Sequence, residues 1–270
     1  MVNGEYRVVS FSGGKDSTAM LLRLMELGAK IDEVVCCDTT KEFPAMYRHI
    51  EKVRELVEGN GIKFTMLRSP LDYDYYMFEH QPNRKNPELL MHKGHSWAGP
   101  RARWCTSRLK TDIINGYCND LARKTGGAAV HFVGIAYDEQ DRLQRKTNQE
   151  KNQRHPLVGW KWTEDDCLEY CYSKGFDWEG LYEIFDRVSC WCCPLQPLKD
   201  LRNLRRHFPD LWSELIDMDE RTWRQFQKDY TVKQLDARFA LEDQWEAEGK
   251  NTKSREFYRK VNKEIRGESA

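Results

Sequence analysis

The chain has 270 residues, of which 40% are hydrophobic and 32% charged, enough to bury a sizeable core. Its 43 Lys and Arg residues balance 43 Asp and Glu residues, so no overall field attracts nucleic acid or membrane. No run approaches the roughly 18 apolar residues of a membrane helix, and nine cysteines, several adjacent, do not form the pattern of a secreted disulfide framework. We therefore expect a cytoplasmic protein.

Short β-branched runs alternate with helical patterns along the first half of the chain. Strands are predicted at residues 6–11, 33–37, 63–67 and 128–135, and helices at 18–27, 44–57 and 106–124. Strands alternating with helices predict an α/β fold, a Rossmann-like parallel twisted sheet flanked by helices.

Two later regions depart from this alternation. Residues 80–110 are rich in Pro and Gly, which predicts a long loop-like insertion. From about residue 200 the pattern becomes helical and amphipathic, which predicts a C-terminal helical extension. We therefore predict an α/β domain over residues 1–197 and a helical extension over residues 198–270.

The insertion carries most of the local positive charge. Its single acid is Glu88, against seven basic residues: Arg84, Lys85, Lys93, Arg101, Arg103, Arg108 and Lys110. A second basic cluster follows the fourth strand: Arg142, Arg145, Lys146, Lys151 and Arg154. Such patches suit a triphosphate or nucleic acid as partner, and the alternative is an ordinary solvated face.

The strongest motif lies between the first strand and the first helix. It reads Ser12-Gly13-Gly14-Lys15-Asp16-Ser17. Two glycines let the backbone approach an anion, and a helix N-terminus supplies N–H groups and positive potential. A Walker-type loop is excluded, because Asp16 follows Lys15 where Ser or Thr is required. The alternative is a tight turn capped by Asp16 or Ser17.

The second strand ends at Asp38-Thr39, beside the edge where ligands of open α/β sheets bind. Asp38 suits a ribose, a metal or an adenine amine as partner, and its alternative role is to cap the next helix.

These motifs, in this order, resemble the phosphoadenosine phosphosulfate (PAPS) reductase family of the N-type ATP pyrophosphatases, in the adenine nucleotide alpha hydrolase-like superfamily. The loop is similar to its SGGxDS motif, and Asp38-Thr39 with Phe43-Pro44 to its D-T-x-x-x-F-P segment. Three further segments resemble the family: 103–110 (W-C-T-x-x-L-K), Gly134 to Arg142, and 155–170. The resemblance spans residues 6 to about 197.

The resemblance implies binding of ATP with Mg²⁺ and cleavage between its α and β phosphates. Lys15 and Asp16 would be catalytic. The residues expected to bind the nucleotide are Ser12, Gly13, Gly14, Lys15, Asp16, Ser17, Asp38, Thr39, Gly134 and Arg142. Two departures matter: Ala136 stands where the family has Arg, and no cysteine follows Cys193, whereas the reductases proper use a late catalytic cysteine.

Four cysteines form a candidate metal set. Cys190 and Cys193 have C-x-x-C spacing, which suits two ligands of one metal or cluster. A resemblance to ATP-dependent sulfur transferases adds Cys105, with Cys192 or an exogenous ligand as the fourth. A [4Fe-4S] cluster or a Zn²⁺ ion would fit this set. The other five cysteines (Cys36, Cys37, Cys118, Cys167 and Cys171) are expected in the core.

The sequence therefore predicts an ATP-dependent adenylyl or sulfur transferase. Its partners would be an unidentified acceptor, nucleic acid through the 80–110 segment, and a sulfur donor protein. One alternative is a reductase of adenylyl sulfate or its 3′-phosphate. Another is a non-catalytic nucleotide-binding or nucleic-acid-binding module with a structural metal.

Overall fold

The computed structural model describes residues 5–145 and 152–267. The chain divides into two compact units. The sheet unit comprises Met1–Tyr73 and Cys105–Cys190, and the helical unit comprises Asp74–Trp104 and Trp191–Ala270. The helical unit thus joins residues 74–104 to the C-terminal residues, and the predicted domain boundary at residue 197 stays a prediction.

A parallel sheet of five strands, in the order β3-β2-β1-β4-β5, forms the centre of the sheet unit. The strands are β1 (Tyr6–Phe11), β2 (Glu33–Asp38), β3 (Lys63–Arg68), β4 (Ala129–Val133) and β5 (Gln153–Arg154). Val9 of β1 pairs with Val34 of β2 and Phe132 of β4. Val8, Val9 and Val34 are fully buried, as expected of strands covered on both faces. The α/β parallel-sheet prediction is confirmed, and only the two-residue β5 was not predicted.

Helices connect the strands. They are α1 (Lys15–Glu26), α2 (Pro44–Gly59), α3 (Trp104–Thr106), α4 (Asp112–Thr125), α5 (Gln140–Leu143), α6 (Pro156–Trp160), α7 (Glu164–Ser173) and α8 (Leu181–Ile184), with a π-helix at Ser107–Thr111 and a 3₁₀ helix at Trp178–Gly180. Helix α1 starts three residues earlier than predicted, directly after Gly14. Helix α7 packs against α1 and begins with a capping box between Thr163 and Asp166.

The helical unit contains the C-terminal helices. They are α9 (Leu198–His207), α10 (Pro209–Glu220), α11 (Val232–Ala247) and α12 (Arg255–Lys260), with π-helices at Tyr75–Glu79 and Val261–Arg266 and a 3₁₀ helix at Pro87–Leu89. Leu201, Leu204 and Leu215 are fully buried, as the amphipathic pattern predicts. Within residues 5–145 and 152–267, no helix has the length and apolar character needed to cross a membrane.

Candidate functional site

The Gly-Gly turn joins the central strand to helix α1. Gly13 has φ +80°, a left-handed conformation that favours glycine. A Cβ atom at this position would lie 2.6 Å from Sδ of Met46. Both conformation and space therefore require glycine here.

Hydroxyl groups tie the turn to the start of the helix. The Ser12 N–H donates to Oγ of Ser17 at 3.2 Å, and that hydroxyl donates to the carbonyl of Gly14 at 3.0 Å. Gly14 is the N-cap of α1 and no side chain caps it. Ser17 therefore bonds the turn, as the capped-turn alternative supposes, and the positive end of the helix faces the same turn.

Lys15 is held between two carboxylates. The residue is only 8% exposed, and its ammonium contacts Oδ1 of Asp16 at 3.0 Å and also Oε2 of Glu164. Burial lowers the pKa of Lys15, but the two carboxylates outweigh it and the pKa is raised, so the cation persists at neutral pH. Burial raises the pKa of Asp16, and the Lys15 ammonium offsets this only in part.

Residues 177–182, which we call the clamp, bond to the turn. They lie near the C-terminal end of the sheet unit. The Trp178 Nε1–H donates to the carbonyl of Gly13 at 2.7 Å, and the Lys15 backbone N–H donates to the Tyr182 hydroxyl at 2.9 Å. Trp178, Glu179 and Gly180 have φ of 50°, 54° and 81°. Three successive left-handed residues persist only where the surrounding contacts fix them.

His49 supports the clamp from helix α2. Its ring stacks on Trp178 at a centroid distance of 4.4 Å, and its Nε2 lies 3.0 Å from Oγ1 of Thr18. Burial lowers the pKa of His49 to about 3, so the ring is neutral at physiological pH.

The residues after β4 approach the start of α1 closely. A Cβ atom on Gly134 would lie 2.9 Å from both Cα and N of Ser17, so glycine allows this contact. Farther along, Nη1 of Arg142 contacts both carboxylate oxygens of Glu139, at 3.1 and 3.0 Å. Nucleotide binding by Gly134 and Arg142 stays a prediction.

Asp38 is engaged by protein groups. Its Oδ1 accepts from the Thr40 N–H at 2.7 Å and the Tyr47 hydroxyl at 2.9 Å, and its Oδ2 accepts from Arg68. Burial raises the pKa of Asp38, but these donors outweigh it and hold the pKa below its usual range. The carboxylate stabilises Thr40, whose φ is 64°, and its contact with a nucleotide stays a prediction.

Beyond Asp38, a small polar group surrounds Glu42. Its Oε1 accepts from Oγ1 of Thr39 at 2.9 Å and lies 3.4 Å from Sγ of Cys190 and 3.5 Å from Nζ of Lys110. Burial lowers the pKa of Lys110, but the negative groups around it, Glu42 foremost, reverse the shift and raise it. This cation therefore balances Glu42 within the sheet unit.

The four predicted metal ligands divide between the units. Cys105 and Cys190 belong to the sheet unit, and Cys192 and Cys193 belong to the helical unit. In the part of the chain that the structure describes, no three His, Cys, Asp or Glu side chains are grouped so as to hold a metal ion. Residues Cys36, Cys118, Cys167 and Cys171 are buried and Cys37 half-buried, as the prediction of core cysteines implies.

The basic residues of the insertion fall into two groups, those that contact other protein groups and those that face solvent. Arg84 donates to the carbonyls of Leu89, His92 and Gly94, Arg108 lies 3.6 Å from Asp112, and Lys110 faces Glu42. The other four, Lys85, Lys93, Arg101 and Arg103, are exposed. In the second cluster, Lys146 and Lys151 lie outside the described residues.

Sequence reasoning missed Glu164, Tyr182, Trp178 and Glu42. Glu164 lies within a segment that resembles the family, but nothing marks it as a partner of Lys15. Trp178 and Tyr182 lie more than 160 residues after the Gly13-Gly14 turn, and no spacing rule connects them to it.

Comparison with known proteins agrees with this architecture. Residues 7–196 match the family model of the phosphoadenosine phosphosulfate reductase domain. One relative is an uncharacterized protein, MJ0066, of Methanocaldococcus jannaschii, 28% identical over 216 residues. That alignment covers 77% of this chain and 40% of the relative, so the chain spans less than half of the relative's length. The chain belongs to the phosphoadenosine phosphosulfate reductase family, within the adenine nucleotide alpha hydrolase-like superfamily.

Proposed function

We propose that this chain is an ATP-dependent adenylyl transferase that cleaves ATP between its α and β phosphates and prepares an acceptor for sulfur transfer. The observation that supports it is the turn at residues 12–17, which we call the phosphate loop. An uncapped helix N-terminus follows a left-handed glycine at the end of the central strand, and Lys15 lies in its first turn. Backbone N–H groups and a cation in this arrangement suit a pyrophosphate.

In the proposed step, a nucleophilic atom of the acceptor attacks the α-phosphorus of ATP, which enters as its magnesium complex. The bond from that phosphorus to the bridging oxygen breaks, pyrophosphate leaves, and the acceptor's proton passes to solvent. Negative charge grows on the leaving pyrophosphate. The N–H groups of the first turn of α1 and the Lys15 ammonium stabilise that charge, and no protein nucleophile is required.

Tyr182 gives the loop a further donor in this proposal. Its side chain is half-buried, and its hydroxyl accepts from the Lys15 N–H. Partial desolvation raises the pKa of Tyr182 and keeps the hydroxyl protonated. Among the residues that the structure describes, the Tyr182 proton has no acceptor of its own. A Cβ on Gly14 would lie 3.5 Å from this hydroxyl, so the group lies beside the turn. We assign it as a donor to a phosphate oxygen of ATP.

Sulfur transfer would follow when hydrosulfide, delivered by a sulfur donor protein, attacks the activated acceptor and AMP leaves. The described cysteines do not form a grouped metal site, so no step is routed through a cluster. The prediction of a [4Fe-4S] cluster or zinc is tested by anaerobic purification with an absorption spectrum and metal analysis. A content of about four irons per chain would support a cluster, and about one zinc per chain would support a structural site. The absence of both metals would refute both predictions.

The reductase alternative would have to use cysteines other than a late thiol within this chain, because residues 194–270 contain no cysteine. The decisive experiment incubates the full chain with ATP labelled at the α phosphate and a panel of acceptors. We expect labelled AMP or an adenylylated acceptor together with pyrophosphate, and loss of both with Lys15→Ala. Stoichiometric ATP binding with no product from any acceptor would refute the proposal and favour the non-catalytic alternative.

A further inference from the structure

Two loops of the helical unit share one anchor. The first loop, residues 84–94, is closed by the Arg84 guanidinium, which donates to the carbonyl of Leu89 at 2.6 Å and to those of His92 and Gly94. The second loop, residues 96–103, is closed by paired backbone hydrogen bonds between Gly99 and Ala102. We call them the basic loops.

The anchor is the pair Trp223 and Arg224. The His92 ring stacks on Trp223 at 4.8 Å with an interplanar angle of 16°, and the Trp223 Nε1–H donates to the carbonyl of Gly94 at 3.3 Å. The Arg224 backbone N–H donates to Oγ of Ser96 at 3.1 Å, and its Nη1 lies 3.4 Å from the carbonyl oxygen of Trp97. Because adjacent residues hold both loops, the loops are neighbours.

The charge on the basic loops is unbalanced. Lys85 and Lys93 lie on the first loop and Arg101 and Arg103 on the second, and all four are exposed. Within the described chain none of them takes part in an ion pair. Glu88 is the only acid of both loops. Four exposed cations on neighbouring loops create a local positive field on a chain whose net charge is zero.

Planar and apolar groups accompany this charge. His92 and Trp223 are half-buried, and their stacked rings keep part of their surface in solvent. Leu90 and Met91 are 54% and 83% exposed on the first loop. The guanidinium carbons of Arg84 and Arg224 each lie 5.1 Å from the centroid of the Trp223 ring, and His92 stacks on that ring. A base would therefore stack on the face of His92 that is turned away from Trp223. Cations beside such a face suit a chain of phosphates with unpaired bases.

We propose that the basic loops bind single-stranded nucleic acid, with Lys85, Lys93, Arg101 and Arg103 on the phosphates and a base against the Trp223–His92 stack. Trp97 and Trp104, the tryptophans of the insertion, are buried and take no part. This inference goes beyond the proposed ATP chemistry and does not depend on it.

The test measures fluorescence anisotropy of labelled 20-nucleotide single strands of RNA and DNA with the full chain. Four phosphate contacts predict that the logarithm of the association constant falls with the logarithm of salt concentration with a slope of about −3. A variant with Lys85, Lys93, Arg101 and Arg103 all changed to Ala is expected to bind about tenfold or more weakly, with a slope near zero.

The matched control changes four exposed, unpaired cations of the same unit to Ala: Lys253, Arg255, Arg259 and Lys263. Residues 253–264 also contain two acids, Glu256 and Glu264, whereas the basic loops contain one. We expect this control to bind like the wild type. Equal losses in both variants, no binding by the wild type, or binding to phosphatidylserine vesicles but not to oligonucleotides would each overturn the proposal. The wild-type salt slope remains informative if a variant fails to fold.

Discussion

The phosphate loop and the basic loops are both suited to anions, but they present their charge differently. The phosphate loop uses backbone N–H groups and a lysine that is only 8% exposed, held by Asp16 and Glu164. The basic loops present four exposed side chains without ion pairs. Packing fixes the phosphate loop, so a small displacement of one of its atoms should have a large effect on ATP cleavage. The basic loops should lose affinity in small, nearly additive steps.

The largest effect is expected from Gly134→Ala. The new Cβ would lie 2.9 Å from backbone atoms of Ser17, so the start of α1 must shift. A displacement of this kind near a reacting centre costs about 100-fold in rate, which ATP cleavage assays would measure.

Gly116→Ala is the control, because nothing lies within 4 Å of its Cβ position on helix α4. If both variants retain full activity, the close contact between Gly134 and α1 does not matter for catalysis.

Acid should weaken the sheet unit through His49. The pKa of His49 is about 3 in the folded chain and 6.5 ordinarily. Between pH 6.5 and pH 3 the unfolded state therefore binds a proton at His49 that the folded state does not bind. The contribution of His49 to the free energy of unfolding is fully present above pH 6.5 and is lost as the pH falls toward 3. At pH 5 the expected loss is about 2 kcal/mol.

Thermal melts at pH 5 and pH 7.5 would show this loss, and His49→Gln should reduce the difference between them. His207→Gln is the control, since that ring is exposed. An unchanged pH dependence in His49→Gln would contradict the assignment.

Tyr182→Phe should have a moderate effect. The ring keeps its edge contact with Trp178 at 4.8 Å, but the Lys15 N–H loses its acceptor and ATP loses a donor. One hydrogen bond to a charged ligand contributes about 1.5 kcal/mol, so ATP affinity should fall roughly tenfold.

Tyr172→Phe is the matched control, because that side chain is 38% exposed. Isothermal titration with ATP separates the cases. Equal affinities for wild type and Tyr182→Phe would remove Tyr182 from the site, whereas no binding by the wild type would refute the function itself.

The smallest effect is expected from a single exposed cation. Lys93→Ala should weaken single-stranded RNA binding only about twofold to threefold, because an exposed ion pair contributes at most about 1 kcal/mol. Anisotropy with Lys253→Ala as control would measure it. A 100-fold loss of RNA affinity from this one change would show that the basic loops act as a packed site. The difference proposed between them and the phosphate loop would then be wrong.

How much the sequence predicts follows from how local each feature is. The first four strands and the Gly13 turn depend on neighbours within a few residues, so β-branched runs and the Ser12–Ser17 motif are enough. The partners of Lys15 and Asp38 depend on tertiary packing. Glu164, Tyr182 and Arg68 reach these groups from other elements, and neither composition nor spacing marks them.

Charge was also harder to predict than fold. In the sequence the seven cations of the insertion look equivalent. In the structure Arg84 donates to three carbonyl groups and Lys110 faces Glu42. A guanidinium that closes its own loop and one that faces solvent look identical in a sequence. Only the packed chain separates them.

The clamp also places a reporter inside the phosphate loop. The Lys15 amide lies in the first helical turn, where no carbonyl of the same helix can accept it, and the Tyr182 hydroxyl is its partner. Its deuterium uptake therefore follows the opening of residues 177–182 rather than unwinding of α1. This one amide signal therefore reports how often the bond between the Lys15 N–H and Tyr182 opens, without any ligand label.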